Sequence, residues 1–308
     1  MNGIIEYDQK LKSLPKFMLI HQYSPKKNYW NSIFIFTIVY YITLVITNIV
    51  LWPPKTINFV VITKYFFGIE YVLDVAVCFS TYFFLQQLEY RFQTLNESWK
   101  YLLPGFLPFP GKLTCSITGM TLDKIRLLHA ELSDSLRLFS VAFGQILLGF
   151  FVFSYIDMLL QFYYFIVFDL TKTEKFSFLN FLRKIVPHIV YLKNVVLVLA
   201  IIIAASRVHE KKRKMISHLR LIRISNLSAN LKIQVKLFMN QITVFESSEI
   251  TAFGIFIINL NLVISILILL ITGIVTLIQM KNHPMILQSK QSVLKFLLDT
   301  RIHNLTYN

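Results

Sequence analysis

Apolar residues in this chain occur in runs too long to be the buried stripes of soluble helices. Between the runs, apolar and charged residues mix at helical spacing. A helix crossing the ~30 Å hydrocarbon core of a bilayer needs roughly 20 residues, each adding about 1.5 Å. Five stretches qualify: Asn31–Leu51 without a charge, Asn58–Leu85 with Lys64, Glu70 and Asp74, Leu138–Phe168 with Asp157, Ile185–Ala205 with Lys193, and Phe253–Met280 without a charge. Pro53–Pro54 makes a tight corner between the first two. Leu85–Leu103, Leu122–Leu138 and Leu219–Phe245 carry apolar residues among charges, such as Leu122, Ile125, Leu128 and Leu132. The second and third spans are therefore expected to continue as helices beyond the membrane, with the break between them at PGFLPFPG, Pro104–Gly111. The pattern predicts an all-α, polytopic membrane helical bundle of five spans with long helical extensions.

Composition agrees: 55% hydrophobic residues exceeds the ~45–50% of soluble domains. The net charge of +15 matters less than where it sits, because basic connections stay in the cytosol. Nine Lys and Arg fall in Arg207–Thr251, six in Gln86–Arg137 and five in the first thirty residues, against one in Trp52–Ile57 and four, balanced by Asp169 and Glu174, in Asp169–Lys184. The expected layout is a cytosolic segment 1–30, a transmembrane bundle 31–280 with cytosolic extensions, and an extracellular tail 281–308. The first nineteen residues lack the basic stretch, apolar core and cleavage site of a signal peptide.

Nucleic-acid binding does not follow from charge distributed in this way. Two cysteines, Cys78 and Cys115, exclude a disulfide scaffold and a four-cysteine zinc site. His209-Glu210 opens HEKKR, which lacks the second histidine of a zinc hydrolase helix. No phosphate-cradling glycine loop and no GxSxG is present. No enzymatic activity and no cofactor are expected, and the run VHEKKRKMISHLRLIR reads first as a topology determinant.

The last run is the informative one. At about 100° per residue, Asn261, Ser265, Thr272, Thr276 and Gln279 fall within roughly 60° of one another, with Ile268 in the same stripe. Such a stripe is either glue to a neighbouring helix or the lining of a pore. One stripe cannot enclose a water column, so a pore demands a closed ring of subunits. Without an acid on the stripe, strong discrimination among cations is not expected.

The segment Ile250–Met280 resembles the closing signature of insect gustatory receptors, TYhhhhhQF with h apolar. Thr272 and Gln279 stand at the right separation, while Gly273 and Met280 replace the Tyr and Phe. Gly254-Ile255-Phe256, Asn259 and the RFxxLN element within Gln86–Asn96 are similar to that family as well. The resemblance implies a tetrameric, ligand-gated, weakly selective cation channel of sensory neurons, with homo- or hetero-tetramers of related subunits in the plasma membrane. It also implies that the final helix of each subunit surrounds the pore, with Thr272 and Gln279 the positions that carry over, and that a tastant or odorant binds among the other spans; the stripe then gives Asn261, Ser265, Ile268, Thr272, Thr276 and Gln279 as the expected pore lining. Matching RFQTLN to the end of the family's fourth span leaves two spans fewer than the seven expected, with an incomplete gene model, a splice form and a decayed gene all open.

Ionisable groups in spans face a cavity or a partner. Glu70, Asp74, Asp157, Gln161, Tyr164, His188 and Tyr191 are the candidate ligand-binding residues, suited to a small polar or amphipathic molecule. An internal ion pair of Lys64 with Glu70 or Asp74 is the competing reading. The rival function is a small multi-span transporter or membrane scaffold in which the stripe packs within one subunit.

Overall fold

A computed structural model describes residues 2–13, 30–51, 53, 58–59, 69–100, 112–164, 178–220, 229–246 and 249–281. Among them are seven α-helices and one short hairpin: α1 (Asn2–Lys12), α2 (Trp30–Leu51), α3 (Ile69–Lys100), α4 (Lys112–Tyr164), α5 (Phe178–Arg220), α6 (Ala229–Glu246), β1 (Thr251–Ala252), β2 (Phe256–Ile257) and α7 (Leu260–Lys281). The chain is an all-α membrane helical bundle. Three helical stretches of the described residues are long and apolar enough to cross a membrane, 120–163, 192–219 and 260–280, and 35–51 is a shorter apolar stretch.

Length and charge divide the long helices. α4 has 53 residues, about 80 Å at 1.5 Å each, more than twice the hydrocarbon core. Its charges, from Lys112 to Arg137, crowd into the first half, and beyond Leu138 Asp157 is the single acidic or basic residue of the helix. The apolar second half carries outward Val141 and Phe153 at more than 70% exposure, as expected of side chains in contact with lipid. The helical extensions expected from Leu122, Ile125, Leu128 and Leu132 are present, and all four residues are buried. The Pro104–Gly111 break lies outside the described residues.

One expectation is corrected. The last apolar run is not a single helix from Phe253: β1, a turn and β2 precede it, and α7 starts at Leu260. Length and apolarity cannot separate a short strand pair from a helix when both are made of Ile, Phe and Val.

Two compact units emerge, 1–151 with 196–262 and 152–195 with 263–308. The first contains a helical platform. Leu85, Leu88, Phe92, Leu95 and Trp99 of α3 recur at three- and four-residue steps and are all buried. Their partners include Phe238 of α6, edge-on to Trp99 at 5.4 Å between ring centres. The RFxxLN element is a staple of this platform. Arg91 donates through Nε and Nη2 to both carboxylate oxygens of Asp8 at 3.0 and 2.8 Å, docking α1. Asn96 Nδ2 donates to the carbonyl of Lys211 at 2.7 Å, tying α3 to α5. Lys10 adds an ion pair to Glu131, which with Glu6 raises the lysine's pKa.

At the platform's centre His129 is fully buried among Phe92, Phe238 and Phe245, all edge-on to its ring. Neither ring nitrogen has a hydrogen-bond partner among the described residues. Lys212 is buried as well and donates to the carbonyl of Phe245, near the C-terminus of α6, where a cation opposes the helix dipole. Burial first, and the Lys212 charge second, push His129 down to about 4.

A histidine held neutral in the folded state, with an ordinary pKa when unfolded, takes up its proton only on unfolding. Its contribution is complete above pH 6.5 and is lost as pH falls towards 4, amounting to about 3 kcal/mol at the limit. Thermal melts of the detergent-solubilised protein between pH 7 and 4 should show this loss, and His129→Leu should flatten it. An unchanged pH slope in that variant contradicts the assignment.

Candidate functional site

The stem of the last helix is built from a small residue, a hydroxyl and a turn. Ala252 to Ile255 form a tight turn in which Phe253 and Gly254 both have positive φ, 53° and 72°, closed by Ile255 N–H donating to the Ala252 carbonyl at 3.0 Å. A bulky residue in this region is strained. The strain is tolerated where the backbone is clamped from outside: the buried Ser140 hydroxyl accepts from Thr251 N–H at 2.9 Å. Its own proton is directed at the Thr251 carbonyl, 3.2 Å, or hydroxyl, 3.0 Å. One turn along α4, Gly144 lies so close that a Cβ there would stand 2.8 Å from Phe253 N and 3.1 Å from its Cα. Phe256 meets the edge of Phe151 at 5.6 Å, and His209 Nε2 lies 3.0 Å from Glu249 Oε1.

Asn259 then begins the helix. Its side-chain oxygen accepts from Leu262 N–H at 3.3 Å, as does its carbonyl at 3.0 Å, which is the behaviour of an N-cap residue. Gly254, Phe256 and Asn259, which carry the family resemblance, are thus respectively a turn, a packing contact and a cap.

α7 is held along one line. Leu270 is 6% exposed, and Val263, Ile266, Gly273, Ile274 and Leu277, all half-buried, lie within roughly 60° of it around the helix. Against this line pack Tyr155 and Leu159 of α4. A Cβ on Gly273 would stand 2.7 Å from Leu159 Cδ1 and 3.2 Å from Tyr155 Oη, and the Tyr155 hydroxyl donates to the Leu269 carbonyl at 3.1 Å. Where the family signature has Tyr at position 273, this chain has Gly on α7, and an aromatic ring reaches the spot from α4 instead.

The polar stripe lies on the opposite side. Asn261, Ser265, Ile268, Thr272, Thr276 and Gln279 are all exposed, and their mean direction is about 160° from Leu270. Thr272 donates to the Ile268 carbonyl at 2.9 Å and Thr276 to that of Thr272 at 2.8 Å. Those protons are committed to the helix's own backbone, so each hydroxyl turns oxygen lone pairs outward.

Of the seven candidate ligand residues, the structure brings two together. Asp157 Oδ1 accepts from Gln161 Nε2 at 3.3 Å, and Oδ2 accepts from Asn194 Nδ2 of α5 at 2.6 Å. Sequence reasoning missed Asn194. The signal available was an amide in an apolar span, as isolated on α5 as Asp157 is on α4. Asp74 is half-buried on α3. The side chains of Glu70, Tyr164, His188 and Tyr191, and all of Lys64, lie outside the described residues, so the proposed Lys64 ion pair does too. Among the described residues no group of three or more His, Cys, Asp or Glu is placed to hold a metal.

Membrane-length helices, the last of them carrying a hydrophilic line away from its own packing seam, define a helical membrane protein. A family model described as 7tm chemosensory receptor matches residues 1–282, and the chain belongs to that family. The match ends within one residue of the end of α7. No curated protein matches the chain significantly. Membership makes this a chemoreceptor that binds small-molecule ligands.

Two stability measurements test the stem and the seam. Ser140→Ala leaves a buried Thr251 N–H without its acceptor and should cost about 1–3 kcal/mol. Gly144→Ala should cost a similar amount, because backbone atoms must yield; melts matching the parent in both variants dismiss the clamp. At the seam, Gly273→Tyr should lower the melting temperature through overpacking, about 1–3 kcal/mol. Adding Tyr155→Ala should recover part of that loss, and strict additivity of the two changes refutes the exchange of ring for hydrogen.

Proposed function

We propose that the protein is a gustatory-type receptor subunit and acts as a ligand-gated, weakly selective cation channel. In this reading four copies, identical or mixed, place α7 around a shared axis in the plasma membrane of a sensory neuron. The N-terminus and platform lie in the cytosol, the five apolar stretches are spans, and residues 281–308 are extracellular.

The observation that carries the proposal is the direction of the stripe. Asn261, Ser265, Thr272, Thr276 and Gln279 face away from the Tyr155–Leu159 seam. Side chains of this polarity are not left against hydrocarbon without a partner or water. The helix-glue reading is weakened because Thr272 and Thr276 already spend their protons on their own helix. Outward lone pairs suit a partly dehydrated cation, and the absence of a carboxylate suits weak selectivity. Ile268, 58% exposed in the middle of the stripe, is an apolar ring that closes the path by dewetting when the helices approach. The transporter or scaffold reading requires the stripe to be buried by the same chain, whereas among the described residues all six of its positions are exposed.

Whole-cell recording of the expressed receptor, with a partner subunit where one is needed, tests the reading. Gln279→Lys places a cation in each subunit at one end of the conduction path and should cut cation current by about tenfold or more, a barrier increase of about 1.4 kcal/mol or above. Gln279→Glu should raise cation preference and sensitivity to divalent block. Permeation and block unaltered by both substitutions would falsify the pore-lining role.

A further inference from the structure

The cluster of Asp157, Gln161 and Asn194 has more acceptors than donors. An ionised carboxylate offers about four acceptor sites and an amide oxygen two. Asp157 uses two of its sites, and both donors are neutral amides. Asn194 Oδ1 is shielded from solvent and has no hydrogen-bond partner among the described residues. Among the described residues the unfilled valences are therefore all lone pairs, and they surround a carboxyl group in the apolar half of α4, where an uncompensated charge is expensive. All three residues are half-buried. Lys193, the chain neighbour of Asn194, points about 100° further round α5.

The missing component must supply both donors and positive charge. A neutral polyol supplies donors without charge, and an anion is repelled by the carboxylate. We infer that Asp157, Asn194 and Gln161 recognise a small primary or secondary ammonium ion, whose N–H groups divide between the Asp157 carboxylate and Asn194 Oδ1. This inference rests on the chemoreceptor reading, since it names the ligand class of that receptor, but it does not depend on where the pore lies. Asp157 is the recognition charge, Asn194 the second acceptor, and Gln161 a positioning residue that holds Oδ1 from one turn away.

The test uses the full chain in detergent and reads binding rather than current. Phenethylammonium and its neutral counterpart 2-phenylethanol are titrated while thermal unfolding is followed. The ammonium should bind about tenfold or more tightly than the alcohol. Asp157→Asn, close to isosteric, should reduce that preference below about threefold. Gln161→Lys places a cation one turn from Asp157, at i,i+4; it should raise the melting temperature without ligand and abolish the ammonium-dependent shift. Equal binding of the two probes to the parent protein, as a protonated and purely structural Asp157 would give, overturns the inference. So does a preference that survives Asp157→Asn. A protein that conducts with no ammonium preference loses this inference and keeps the channel; one that binds ammonium through Asp157 but never conducts does the reverse.

Discussion

The last helix is packed along one side only, and most of what the protein is able to do follows from that. A glycine, Gly273, lets Leu159 and Tyr155 come into direct contact with α7, and the Tyr155 hydroxyl pins a backbone carbonyl at Leu269. Leu270 is buried on the same line. Because an α-helix turns about 100° per residue, fixing this face leaves the polar positions no choice but to point the other way. Isolated apolar residues on that side would dissolve in lipid, whereas the outward lone pairs of a line of amides and hydroxyls are better matched to water or another polar surface. In the channel proposed above, that side of α7 is the one turned to water shared with other subunits.

What precedes α7 is built to start it at a fixed residue. The two positive φ values at Phe253 and Gly254 reverse the chain within four residues, the Ser140 hydroxyl seizes Thr251, and Asn259 caps the first turn. The platform meets the same need for order with buried polar groups. Arg91 and Asn96 join α3 to α1 and α5, and Lys212 closes the end of α6. The buried charged side chains of Arg91 and Lys212 have oxygen partners, as groups removed from water must. His129, with no such partner among the described residues, is held neutral down to about pH 4.

The sequence was legible where periodicity carries the information. Leu122, Ile125, Leu128 and Leu132 could be placed on one face because a helix must put them there, and the stripe of α7 follows from the same arithmetic. It was illegible where the partner is remote or the chemistry is uniform. The Asp8–Arg91 contact joins residues 83 positions apart, and nothing local to either announces the other. Asn194 looks like a spacer until α5 is laid beside Asp157. The hairpin at 251–257 is as apolar as the helix after it, so only backbone conformation separates them. Gly273 read as a departure from the family signature; the ring that compensates for it comes from Tyr155, on a different helix, and no reading of α7 alone was able to find it.

The most direct test is a cysteine scan of α7 in a background lacking Cys78 and Cys115, probed during recording with a charged, membrane-impermeant thiol reagent. The account predicts block that recurs with helical period at positions 265, 268, 272 and 276, and none at 266, 270 or 277 on the packed line. Modification without block along the stripe, or block without periodicity, contradicts it.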